Sequence, residues 1–487
     1  MRQILIVGGG YAGFYAAWKL EKKLRRGEAE VTLVDPRPYL TYQPFLPEVV
    51  AGSVEARHAA VSLRRHLRRT RVVAGKVTAI DHAHRVVTVQ PADGAAFERR
   101  YDLLVVTAGA VTRTLPVPGI AEQAIGLKHV EEAVAIRDRL LTAFDRAAAL
   151  PDGPQRRKLL TVTFVGGGFS GVEGFGELLS LATALLERYP ELHRDELRFH
   201  LVEASARILP EVTDRPGRWV VRELERRGGH IHLNTLVTSA KNGHVTLSTG
   251  EGFDSELIVW TAGNGANPVI GRHTDLPVDE RGFVVVRPDL RVQGVADAWA
   301  AGDDAAVPDL TSPVPGTRTV PNAQHAYRQG KLLARNIIAT LRGREPKPYV
   351  HHSLGAIATL GLGRGIFQYK RLVLKGLPAW LVHRGYHVLA VPTWERKVRV
   401  LAVWLTQALF GRDILSLASV QHPRDAFSSE ASPRAGGSAT RTPEKPAFVT
   451  AGRTVTSAAR PDQDQPANGL ASIVQVLPAA GKVPEIR

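Results

Sequence analysis

The sequence predicts an α/β fold: two doubly wound, parallel-sheet units, the first of them discontinuous, followed by a basic amphipathic region. Three observations lead there. The stretch Ile4-Leu-Ile-Val-Gly-Gly-Gly-Tyr-Ala-Gly13 recurs 158 residues later as Val162-Thr-Phe-Val-Gly-Gly-Gly-Phe-Ser-Gly171. Each copy precedes a second apolar run that ends in an acid, Val31-Thr-Leu-Val-Asp35 and Phe199-His-Leu-Val-Glu203. A further pair, Leu103-Leu-Val-Val-Thr-Ala-Gly109 and Leu257-Ile-Val-Trp-Thr-Ala-Gly263, reads as two buried strands that each stop at glycine. Apolar run, glycine cluster, helical stretch and apolar run together make the strand–turn–helix–strand unit of a Rossmann-like domain, here present twice.

In chain order, the first unit opens with its glycine turn and continues through an alternating, β-like stretch at residues 71–89 to the strand ending at Gly109. The second copy then begins, and residues 230–248 alternate in the same way, with Asn242-Gly243 as a hairpin turn. The reading divides the chain into residues 1–115, 116–264, 265–343, 344–423 and 424–487: first unit, second unit, return to the first, amphipathic region and tail. The tail is rich in Ala, Ser, Pro, Thr and Gly and reads as disordered, because such a composition buries no core. Residues 473–477 form a short apolar patch within it, read as a chance cluster rather than a docking motif.

The glycine spacing carries the chemistry. Gly8, Gly10 and Gly13 fit G-x-G-x-x-G after a strand. The first permits a tight turn, the second lets the backbone approach a pyrophosphate, and the third lets helix and strand pack closely. The helix that follows presents free N–H groups and partial positive charge to the phosphates. Asp35 suits a ribose diol and repels a 2′-phosphate. Gly166, Gly168, Gly171 and Glu203 repeat the pattern, although Glu203 follows its last glycine by 32 residues rather than 22. Two dinucleotides are therefore expected, with NADH favoured over NADPH. Arg207 is the residue that could still meet a 2′-phosphate.

Composition excludes other chemistries. The chain has no cysteine, which removes disulfides, thiolate metal sites and thiol redox steps. Any redox role then needs a bound organic group. His351-His352 is the only adjacent histidine pair and has no further ligand at suitable spacing, so no metal site is expected. The formal net charge is +16, and residues 344–423 carry eleven Lys/Arg against three Asp/Glu. Apolar and aromatic runs share that region, which favours an anionic membrane surface over nucleic acid.

With these motifs the chain resembles, over about residues 1–415, the two-dinucleotide flavoproteins and among them the type II NADH dehydrogenases. The resemblance implies FAD on the first fingerprint and NADH on the second. It places Tyr42-Gln-Pro-Phe-Leu-Pro-Glu-Val-Val-Ala-Gly52, with Gln43 and Pro44, beneath the flavin. It sets Gly109 beside FAD and Gly263 beside NADH. Ala300-Ala-Gly302-Asp303 resembles the motif whose aspartate meets the ribityl or pyrophosphate part of FAD; the cysteine usual in the family at the next position is Asp304 here. Ala323 and Gln324 match the pair that abuts the flavin ring and opens onto the quinone. Glu173 matches a glutamate near the nicotinamide that positions NADH or relays a proton. Glu177, one turn later, reads as a solvated helix acid. Asn264 and Val373 depart from the family, the first from an apolar residue and the second from a lysine found near the quinone in some members. Disulfide reductases and sulfide:quinone oxidoreductases, which work through cysteines, are excluded.

The implied activity is FAD-dependent transfer of hydride from NADH and of electrons to a membrane quinone, without proton pumping. A non-quinone acceptor and an NADH-sensing scaffold remain as alternatives. No signal peptide and no spanning stretch are visible, so a cytoplasmic protein peripheral to the inner face of the cell membrane is expected. A helix from Trp394 to Phe410 places Trp394, Val398, Leu401, Leu405 and Leu409 on one face, widened by Val400, Val403 and Trp404. That face suits a headgroup layer, or alternatively the chain's own domain or a homodimer partner. Pro392 separates this helix from the apolar stretch before it.

Overall fold

The computed structural model describes residues 1–416 and positions 419, 424 and 425. Two five-stranded parallel sheets form its frame. In the first, Arg2–Val7 is central, with Ala29–Asp35 and Thr70–Ala74 on one side and Leu103–Val106 and Ala298–Ala300 on the other. In the second, Thr161–Val165 is central, with Arg198–Val202 and Gly229–His232 on one side and Leu257–Trp260 and Ala124–Gly126 on the other. Runs such as Leu103–Val106 and Leu257–Trp260 are buried at every position. Continuous apolar runs of this kind belong to parallel strands covered on both faces. Ala298–Ala300 joins the first sheet only after the second sheet is complete, so the first unit is discontinuous in sequence.

The alternating stretches became small antiparallel sheets. Lys76–Asp81, Val86–Gln90 and Phe97–Arg100 form one, and Val237–Ser239, His244–Leu247 and Gly252–Asp254 the other. Asn242 and Gly243, at φ 56° and 79°, make the expected turn in the second. A third antiparallel sheet, Ala356–Thr359, Gly365–Tyr369 and Leu372–Lys375, is backed by the helix Leu377–Ala390. Pro392 lies between this helix and the helix Trp394–Phe410.

The last helix corrects one expectation. Val400 is fully buried, and Trp404 turns inward, its indole N–H donating to Glu48 Oε2 at 3.1 Å. Trp394, Val398, Leu401, Leu405 and Leu409 point away, each more than half exposed. The helix thus has two apolar faces instead of one widened face, because the helix Leu46–Val50 and the short helical turn Ala56–Ala59 take up the Val400 side. Among the described residues, no helix is long and apolar enough to cross a membrane. The tail and its patch at residues 473–477 lie outside the described residues.

Candidate active site

Each parallel sheet delivers its glycine cluster in the same geometry. Gly8 and Gly166 turn the chain in the left-handed region, at φ 98° and 112°. A Cβ on Gly13 would overlap the Gly8 carbonyl oxygen, and one on Gly171 would overlap that of Gly166. Around Gly10 and Gly168, by contrast, a Cβ would meet nothing within 4 Å among the described residues. In each cradle the first glycine thus makes the turn, the third allows close packing, and the middle one leaves room for a pyrophosphate at a helix N-terminus.

The acids follow suit. Asp35 accepts from the Gly9 amide at 2.6 Å and the Arg37 amide at 2.7 Å. Glu203 accepts from the Gly167 amide at 2.6 Å and the Ser205 amide at 2.8 Å. These bonds aim each carboxylate and leave lone pairs for a ribose diol. The longer loop before Glu203 therefore changes nothing at the site. Arg207 donates to Asp214 at 3.0 Å and to the carbonyls of Pro210 and Val212, which engages it within its own loop.

A cavity of about 1160 Å³ draws walls from both units. Gln43, Pro44, Asp303, Ala323 and Gln324 line it from the first unit and its return, and Gly168, Gly171, Glu173 and Gly263 from the second. Gly8, Gly10, Gly13, Asp35, Gly109, Gly302, Gly166 and Glu203 are not part of its wall. Gly302 is left-handed, at φ 96°, and its amide donates to Gln329 at 2.8 Å. Burial raises the Asp303 carboxyl, opposed by the charge of Lys128. Asp304 faces the amides of Ala108 and Gly109 without a well-aligned hydrogen bond, and burial pushes it up to about 7. Asn322 caps the helix Ala323–Leu341 by accepting from the His325 amide, so Ala323 and Gln324 open its first turn at the cavity.

Glu173 sits on the helix Phe169–Leu185, where Oε1 accepts from the Thr359 amide at 3.0 Å. Burial pushes its carboxyl up to about 8. Glu177 is not a solvated helix acid: it is 1% exposed and accepts from the Thr359 hydroxyl at 2.6 Å. The strand Ala356–Thr359, from far along the chain, covers that helix face, and no local pattern announces it. Burial raises the Glu177 carboxyl, with Arg412 opposing.

A second layer went unread in the sequence. His383 Nε2 lies 3.2 Å from Glu173 Oε1, and His383 Nδ1 lies 3.9 Å from Glu48 Oε1. Burial pushes Glu48 up to about 8 and His383 down to about 3. His387, one turn along from His383, meets the Tyr42 hydroxyl at 3.0 Å, and both line the cavity with Tyr11 and Lys128. The spacing of His383 and His387, four apart on one helix face, was the available signal. Among the described residues, no group of acids and histidines could hold a metal ion.

Comparison with known proteins agrees with this geometry. The family model for pyridine nucleotide-disulphide oxidoreductases matches residues 2–330. The type II NADH:quinone oxidoreductase Ndh of Mycobacterium tuberculosis is 30% identical over 424 residues, covering 84% of this chain and 89% of the relative. The demethylphylloquinone reductase NdbB of Synechocystis is 29% identical over 414 residues, covering 84% and 96%. The solved structure of NDH2 from Plasmodium falciparum in complex with NADH superposes with a TM-score of 0.77 at 18% identity, covering 85% of this chain and 99% of that one. The chain therefore belongs to the pyridine nucleotide-disulphide oxidoreductases and, within them, to the type II NADH:quinone oxidoreductases.

Proposed function

We propose that this protein oxidises NADH through bound FAD and passes the electrons to a membrane quinone without pumping protons. The observation that carries the reading is the pair of matching glycine cradles, one of which runs at Gly168 and Gly171 into a cavity that also holds Gln43, Asp303 and Gln324. FAD, when bound, supplies a group that accepts hydride from NADH and releases two electrons to an acceptor.

The chain's own residues do the rest. Gly8, Gly10 and Gly13 receive the FAD pyrophosphate and Asp35 its adenosine ribose. Gly109, Gly302 and Asp303 hold its middle, and Gln43, Pro44 and Ala323 its ring. Gly166, Gly168, Gly171, Glu203 and Gly263 hold NADH, with Glu203 favouring it over NADPH. Glu173 keeps a proton at the cavity, where burial holds it neutral near pH 7. Gln324 meets the quinone. The units follow residues 1–115 with 265–343, 116–264 and 344–423.

Attachment is peripheral, through the outward face of the helix Trp394–Phe410. Arg65 reaches Glu395 on that helix at 3.2 Å, and Arg64 and Arg68 are exposed on the same segment, ready for anionic headgroups. Lys397 instead donates to the Val388 carbonyl at 3.0 Å and closes the preceding helix. Steady-state NADH oxidation with a short-chain quinone tests the reading, with NADPH and with oxygen as the comparisons. Flavin-loaded protein that turns over with oxygen but with no quinone overturns it.

A further inference from the structure

We propose that His383 is the positioning residue that returns a proton to Glu173, connecting the cavity to Glu48 behind it. The inference rests on the quinone reading above. NADH gives up two electrons and one proton as hydride, whereas a quinone becomes a quinol by taking two electrons and two protons. One proton per turnover must therefore come from water.

Glu173 lines the cavity, but His383 does not: its ring is fully buried behind the wall. It stands between two acids, with Nε2 at 3.2 Å from Glu173 and Nδ1 at 3.9 Å from Glu48. Neither ring nitrogen has an aligned hydrogen bond among the described residues, and neither has Glu48 Oε1. A buried polar atom left without a partner is costly. Three of them along one acid–imidazole–acid line are hard to explain as a clamp and easy to explain as a route. Other charged or titratable groups near this line, among the described residues, are Arg384 beside His383 in sequence, His387 at 4.4 Å between ring centroids, Glu177 one turn from Glu173, and Arg412, whose charge acts on Glu177 and Glu48.

The step balances. The Glu173 O–H bond breaks as an O–H bond forms on the acceptor, leaving Glu173 a carboxylate. His383 Nε2–H then donates to Glu173 while Nδ1 takes the proton of Glu48, so the ring stays neutral and changes tautomer. The negative charge comes to rest on Glu48, where the Arg384 guanidinium lies at 3.5 Å and the Trp404 indole N–H at 3.1 Å. A proton from water restores Glu48, and a half-turn of the ring brings its N–H back to the Glu173 side for the next turnover. The charge is thereby moved away from the acceptor to a carboxylate that has a guanidinium and an N–H donor beside it.

The test uses the full, flavin-loaded chain and two acceptors. Ferricyanide takes electrons without protons, and a short-chain quinone needs both. For His383→Gln and Glu48→Gln, the ratio of quinone to ferricyanide turnover should fall at least about tenfold, as loss of a proton-transfer group does. The quinone rate should also gain a larger slowing in deuterium oxide. An unchanged ratio in both variants overturns the proposal, and so does a parallel loss of both rates, which marks a packing role. If His383→Gln does not retain flavin, Glu48→Gln decides by the same ratio. Wild-type protein active with ferricyanide but inactive with quinone refutes the quinone reading itself, a result separate from any change in the variants.

Discussion

At the scale of the residue, the three glycines of a fingerprint should respond differently to the same change. Gly13→Ala sets a methyl group against the Gly8 carbonyl oxygen and should destabilise the first unit by about 1–3 kcal/mol, as overpacking does. Gly10→Ala meets nothing among the described residues, so the thermal midpoint of flavin-free protein should hold while flavin retained per chain falls. Equal loss of stability in both variants would sink the division of labour. Glu203→Ala should weaken NADH by about 1.5–3 kcal/mol, the worth of hydrogen bonds to a charged group, and narrow the preference over NADPH. An unchanged NADH to NADPH ratio in kcat/KM would contradict that role. These residues were legible in the sequence because a cradle is local: turn, close approach and helix N-terminus all lie within six residues. Glu177 was misread, and His383 missed, because what buries them arrives from elsewhere in the chain.

At the scale of the element, two pieces carry separable predictions. The helix Trp394–Phe410 has one face in the protein and one outside. Leu401→Glu combined with Leu405→Glu should reduce sedimentation with anionic vesicles and spare thermal stability, since both side chains are exposed. Val400→Asp should do the reverse and lower stability by placing an unpaired acid in the core. Vesicle binding that survives the double substitution would argue against this face. The strand Arg198–Val202 carries His200, stacked on Phe253 at 3.8 Å between ring centroids and in contact with His230 and His232. Burial, with those two neighbours, pushes His200 down to about 3 from its ordinary 6.5. Between these values the unfolded chain binds the extra proton, so stability should fall as pH drops from about 6.5 toward 3. His200→Phe should flatten that acid limb of the melting curve; an unaltered limb would assign it to other groups. Element types were readable from period alone, but which face of the last helix points inward was not.

At the scale of the whole molecule, Glu48 and Glu173 impose the opposite slope. Their carboxyls, raised to about 8 from 4.5, keep protons in the folded state that the unfolded chain releases. Stability should therefore decline as pH rises from about 4.5 to 8, and Glu48→Gln should flatten this alkaline limb in a thermal melt. A limb that stays as steep would mean that Glu48 ionises in the folded protein. A chain ended after Lys375 loses Val388, Val391 and Val400, all buried in the same core cluster as Phe45 and Ala358. It should melt well below the full chain; equal midpoints would show the two last helices to be mere attachments. The sequence by itself determined the doubled α/β fold, the two cradles with their acids and the exclusion of thiol chemistry. All of these are written in contiguous runs whose spacing follows from backbone geometry. Only the tertiary structure decided which acids are buried, which histidine stands behind the cavity and which helix face is left to the outside. Each of those depends on a segment more than a hundred residues away, brought there by long-range packing that no local spacing encodes.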